Sequence, residues 1–135
     1  MTDQRLLLTS AGLQNPTLVA ELATLLGRPF EGARVVVVLT ASLAEPGDKR
    51  WLLDDLARLS DLGWAELDLI DLNTIAAAEV RQRLSGADVV YVHGGNQYSL
   101  VAAISRHGLT EVFEEVRCVR RRERRLDPRL PAPRR

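Results

Sequence analysis

Apolar residues fall along this chain in short unbroken runs that alternate with stripes at helical spacing. Leu6-Leu7-Leu8-Thr9 is a run without helical period that stops at Ser10-Ala11-Gly12, as a buried strand ending in a turn does. Asn15-Pro16 then offers an N-cap with proline at the first helical position. Leu18, Leu22, Leu25 and Leu26 follow at helical spacing until Gly27-Arg28-Pro29 ends the run. Behind Arg34, the β-branched run Val35-Val36-Val37-Val38-Leu39 is apolar at every position, which predicts a strand covered on both faces. Trp51, Leu52, Asp55, Leu56 and Leu59 predict a second helix that stops at Leu62-Gly63, and Ala65 to Leu72 a third strand carrying Leu67, Leu69 and Ile70. Asn73 or Thr74 is expected to cap a helix running through Ile75, Val80 and Leu84 to Gly86. Asp88-Val89-Val90-Tyr91-Val92 predicts a fourth strand leading into His93-Gly94-Gly95-Asn96, followed by helical segments over 97–106 and 110–116.

Four strand-helix repeats with short connections imply an α/β fold, a parallel sheet with helices on both faces, because each right-handed crossover lays its helix back over the sheet. Ligands in such folds sit at the carboxyl ends of the strands. Here those ends are Thr9-Ser10-Ala11-Gly12, Thr40-Ala41-Ser42 and His93-Gly94-Gly95-Asn96. Paired glycines between a buried strand and a helix let backbone N–H groups approach a ligand and face developing negative charge. Gly94, Gly95 and Asn96 are therefore the candidate oxyanion and substrate-binding residues, although Gly-Gly at a strand end also serves as a plain tight turn. Neither a dinucleotide-binding fingerprint nor a Walker loop follows the first strand, so no cofactor is expected.

The remaining polar residues carry less. His93 and His107 have no evident general-base partner in the sequence. His93 is expected to shape the glycine loop, and His107 beside Gly108 to contact free carbonyls at a helix end. Ser10 lacks the Gly-x-Ser-x-Gly frame of a nucleophile elbow, since Leu8 stands where the first glycine belongs. Asp54, Asp55 and Asp61 read as solvent-facing charges of the second helix, and no metal site is expected.

At 135 residues and 15.0 kDa, with 46% hydrophobic and 27% charged residues, the composition is that of a single globular domain. Nothing reads as a membrane span or a cleavable leader, so a cytoplasmic location and no membrane partner are expected. The single cysteine, Cys118, excludes an internal disulfide and a cysteine-rich zinc site. Overall neutrality hides a division. Residues 117–135 hold nine arginines against Glu123 and Asp127, a net +7, and the first 116 residues carry −7.

Taken together, Leu6 to Gly12, Val35 to Ser42, Trp51, Asp54-Asp55-Leu56, Val89 to Asn96, Leu100 and Gly108 to Val112 resemble the peptidase E (aspartyl dipeptidase) family of serine peptidases. The resemblance covers about residues 5 to 116. It implies a flavodoxin-like, class I glutamine amidotransferase-like fold and hydrolysis of small peptides with an N-terminal aspartate. It also implies an oxyanion-hole and substrate-holding role for Gly94, Gly95 and Asn96. The family's next element is a buried strand ending in a Gly-x-Ser-Ala-Gly-Ser elbow, with acidic and histidine partners further on. In its place stands Cys118-Val119-Arg120-Arg121-Arg122-Glu123-Arg124-Arg125-Leu126-Asp127, from which no buried strand is expected. One permitted coding of Cys118 to Asp127, read one base later, gives Val-Tyr-Val-Gly-Val-Ser-Ala-Gly-Ser, the missing strand and elbow.

These observations predict residues 1–116 as an incomplete α/β domain truncated before the elbow strand, and 117–135 as an arginine-rich disordered tail read out of frame. A peptidase E-like hydrolase lacking its serine, histidine and acid is the first functional reading, inactive as written. A non-catalytic module holding a small anion is the second. The third is a polyanion- or nucleic-acid-binding arm made by the tail, less favoured than a tail without function. The uncovered edge left by the missing strand predicts a marginally stable chain unless it forms a homo-oligomer.

Overall fold

A computed structural model describes residues 6–10, 16–114 and 117–118. Five strands, all parallel, form one sheet in the order β3-β2-β4-β1-β5. They are β1 Leu6–Ser10, β2 Arg34–Val38, β3 Glu66–Ile70, β4 Val89–His93 and the two-residue β5 Arg117–Cys118. The helices are α1 Pro16–Leu26, α2 Thr40–Ala44, α3 Arg50–Ser60, α4 Ala77–Ser85, α5 Gln97–Arg106 and α6 Thr110–Glu114. The expected α/β architecture is the observed one.

The two central strands explain their own sequences. All five residues of β4 are buried, as are Val35 to Val38 of β2, and the two strands pair from Val35 with Val89 to Val38 with Val92. Because successive side chains point to opposite faces, each strand feeds two cores. Val35, Val37, Val89 and Tyr91 pack with Leu22 of α1 and with Leu52 and Leu59 of α3. Val36, Val38, Val90 and Val92 pack with Val80 and Leu84 of α4 and Ala103 of α5 on the other face. No face of these strands meets water, which is why their runs show no polar alternation.

Connections leave β2 toward α3 on one face and β4 toward α5 on the other. The carboxyl ends of these neighbouring strands therefore open a crevice of the kind in which α/β sheets bind ligands.

Three local expectations change. Thr40 to Ser42, expected as the open end of a strand, begins the short helix α2. Neither Asn73 nor Thr74 caps α4, which starts behind Ala76 without a side-chain cap. Asp71 closes a turn there instead: its carboxylate accepts from the Asn73 N–H at 3.3 Å and the Thr40 hydroxyl at 3.0 Å. Finally, Arg117 and Cys118 pair with Leu6 and Leu7, so a short fifth strand begins directly after the expected break at 116. Asn15 as a cap, Ala11-Gly12 and the tail over 119–135 lie outside the described residues.

Candidate functional site

The crevice brings together two of the three strand ends named from sequence. Gly94-Gly95-Asn96 leaves β4 and lies against the first turn of α2, where the Asn96 N–H donates to the Ala41 carbonyl at 2.9 Å. Gly95 has φ +151, and a Cβ there would sit 2.3 Å from the Ala41 carbonyl oxygen and 2.8 Å from Ser42 Cα. Only glycine allows this approach. At the third strand end, Ser10 is level with His93 in the β1–β4 pairing.

α2 is held from both sides. The Leu72 N–H donates to Thr40 Oγ1 at 2.8 Å, and the Leu39 N–H to the Ile70 carbonyl at 2.9 Å, tying the helix to the end of β3. On the β4 side the Ser42 hydroxyl donates to the Gly94 carbonyl at 2.6 Å and lies 3.2 Å from His93 Nδ1.

Beneath the loop is a buried polar chain that the sequence reading misses. Asp55 is 2% exposed rather than solvent-facing. Its Oδ2 accepts from the Tyr91 hydroxyl at 3.0 Å and pairs with His93 Nε2. The geometry follows from two periodicities. Tyr91 and His93 are two apart on β4 and point to the same face, while Asp55 shares the buried stripe of α3 with Leu52 and Leu59. Trp51, one turn earlier on α3, lies tilted over the His93 ring with centroids 5.6 Å apart. The carboxylate is thus paired where an isolated charge would be costly.

His93 is the last residue of β4, fully buried behind the loop; it shapes the loop, as expected, but through Ser42 and with an acidic partner. Asn96 caps α5, its Oδ1 accepting from the Ser99 N–H at 3.0 Å, so its backbone N–H and Oδ1 are both engaged in structure. His107 ends α5 through its backbone, donating to the Ala103 carbonyl, while its Nε2 finds no hydrogen-bond partner among the described residues.

Asp54 and Asp61 are exposed, and among the described residues no cluster of three His, Cys, Asp or Glu side chains is arranged to hold a metal. A cavity of about 300 Å³ lies at the opposite, amino end of the sheet, lined by Arg34, Glu66, Asp68, Glu79, Gln82 and Arg83. Its charges answer one another, Arg83 with Glu79 at 2.9 Å and Asp68 at 3.5 Å, and Arg34 with Glu66 at 3.3 Å. The glycine loop and the buried polar chain beneath it lie at the other, carboxyl end of the sheet.

Comparison with known proteins points the same way. The family model of Peptidase family S51 matches residues 6–121. A peptidase of Pasteurella multocida, itself uncharacterised, is 27% identical over 86 residues, a match spanning 64% of this chain and 41% of that protein. A crystal structure of a Listeria monocytogenes protein described as a peptidase E superposes with a TM-score of 0.61 at 22% identity. That superposition covers 84% of this chain and 56% of the Listeria one, so the chain spans about half the length of the proteins it matches.

Proposed function

Because the chain belongs to peptidase family S51, we propose that its described residues carry the first part of a peptidase E-like serine hydrolase acting on small peptides with an N-terminal aspartate. Gly94, Gly95 and Asn96 form the cradle for the peptide and for the oxyanion of its scissile carbonyl. The observation that carries this reading is the glycine loop at the carboxyl end of β4, clasped onto α2 in the crevice between β2 and β4. A cradle is half of the chemistry. A serine peptidase also needs an activated hydroxyl at the cradle. Among the described residues the hydroxyl nearest the loop is that of Ser42, which is fully buried and bound to the Gly94 carbonyl.

The nucleophile belongs to the strand that begins at Arg117, and we read the chain beyond it as out of frame. The parallel pairing of Arg117-Cys118 with Leu6-Leu7, and a family match that runs to residue 121, support a strand starting here. Translated as it stands, the chain binds peptide without cleaving it. The reading places it in the cytoplasm and requires no cofactor.

The dipeptide Asp-Ala is accordingly expected to raise Tm and to remain intact. At a hundred times its Kd, binding contributes about 2.7 kcal/mol, or roughly 10 °C for a domain of this size. Differential scanning calorimetry with Asp-Ala, and with Ala-Ala as control, checks this. An unchanged Tm at saturating dipeptide contradicts the cradle, and hydrolysis contradicts the missing nucleophile.

A further inference from the structure

We infer that Ser42, with His93 and Asp55 behind it, is a positioning residue that fixes the direction of the Gly94–Gly95 peptide and so makes the Gly95 N–H the outward-facing donor of the cradle. The inference deepens the proposed function and rests on it for the ligand, but its geometry stands apart.

Ser42, His93 and Asp55 invite comparison with a nucleophile, base and acid, yet proton accounting gives them another task. A serine hydroxyl carries one hydrogen. Here it goes to the Gly94 carbonyl at 2.6 Å, so the 3.2 Å contact with His93 Nδ1 is satisfied with the ring nitrogen donating to Ser42 Oγ. Asp55 holds the other ring nitrogen and sets the ring's orientation. Both Ser42 and His93 are 0% exposed, with Trp51 over the ring, so no substrate reaches the hydroxyl. The chain ends on a backbone carbonyl, and its effect is on the peptide unit that carries it.

In a trans peptide the C=O of one residue and the N–H of the next point in opposite directions. No cis bond occurs among the described residues. Drawing the Gly94 carbonyl onto Ser42 therefore turns the Gly95 N–H to the opposite side, away from Ser42. Gly95 is exposed, and no acceptor among the described residues takes its N–H. On its far side the loop is pinned by the Asn96 N–H to the Ala41 carbonyl at 2.9 Å, which fixes the next peptide unit and leaves the Ser42 bond to set the direction of the Gly94–Gly95 peptide. A donor held in advance at the site of developing charge is what an oxyanion hole requires.

The test is the Gly95 ¹⁵N–¹H residual dipolar coupling in weakly aligned full-length chain, together with Asp-Ala titration followed at the same amide. The native chain should give a coupling that matches the outward vector, and a Gly95 resonance that moves to saturation with Asp-Ala. Ser42→Ala should change the coupling and weaken Asp-Ala binding about tenfold, the scale of one lost hydrogen bond. If Ser42→Ala does not fold, Ser42→Cys, near in size and a weaker donor, should shift the coupling in the same direction. A variant whose Gly95 coupling and affinity equal those of the native chain overturns the inference. A native chain with a Ser42-dependent coupling that ignores Asp-Ala supports the positioning and overturns the peptide reading of the cradle.

Discussion

Asp55→Ala is expected to destabilise the chain by about 2–5 kcal/mol, the cost of leaving two buried polar groups without the partner they share. The Tyr91 hydroxyl and His93 Nε2 both lose the same carboxylate oxygen while the residues that carry them are buried. The loss propagates upward, because His93 loses the contact that orients its ring under Ser42. Asp54→Ala supplies the control: the neighbouring side chain is exposed, and its removal should change stability by no more than about 0.5 kcal/mol. Urea denaturation of the two variants checks the contrast. Equal midpoints would mean that the buried chain contributes nothing.

Gly95→Ala should act where ligand binds. The new methyl would meet the Ala41 carbonyl oxygen at 2.3 Å and its carbon at 2.5 Å, and the backbone there has φ +151, which side chains other than glycine's rarely accept. Neither wall of this contact yields easily, since α2 is tied to the end of β3 through Thr40 and to β4 through Ser42. The expected cost is about 1–3 kcal/mol of stability from overpacking, with Asp-Ala binding abolished because the loop must leave α2. Gly32→Ala, at a position where an added methyl meets nothing within 4 Å, should leave both unchanged. Tm and calorimetric titration on the two variants decide the matter; native-like binding by Gly95→Ala would show that the loop is only a turn.

The sequence was most legible where burial is complete. β2 and β4 announce themselves because every position from Val35 to Val38 and from Val89 to His93 faces a core, so the apolar run coincides with the strand. The glycine loop was legible too, as paired glycines between a strand and a helix. α2 was not, because five residues are too few for a helical period to show, and its ties to Asp71 and Leu72 span 31 and 32 residues. Asp55 is the instructive case. Its spacing from Leu52 and Leu59 places it in the apolar stripe of α3, a signal present in the sequence, whereas its carboxylate argued for solvent. What settles the conflict is a pair of partners, Tyr91 and His93, lying 36 and 38 residues away on another element, and no local pattern names them. His93 could be read as loop-shaping for the same reason that its acid could not be found.

Charge division along the chain has a physical counterpart at β5. Arg117 and Cys118 enter the sheet beside β1, at the edge where a further buried strand would cover Leu6 to Ser10, yet the residues that follow are dominated by arginine, which such a strand does not accept. The claim that this chain carries the first part of a peptidase, with its nucleophile strand starting at Arg117, is tested most directly by the genomic nucleotide sequence from codon 105 through codon 135 and beyond. The account predicts a one-base displacement near codon 118, after which the corrected frame reads Val-Tyr-Val-Gly-Val-Ser-Ala-Gly-Ser and continues to acidic and histidine residues. A confirmed frame through the arginine-rich tail would contradict it.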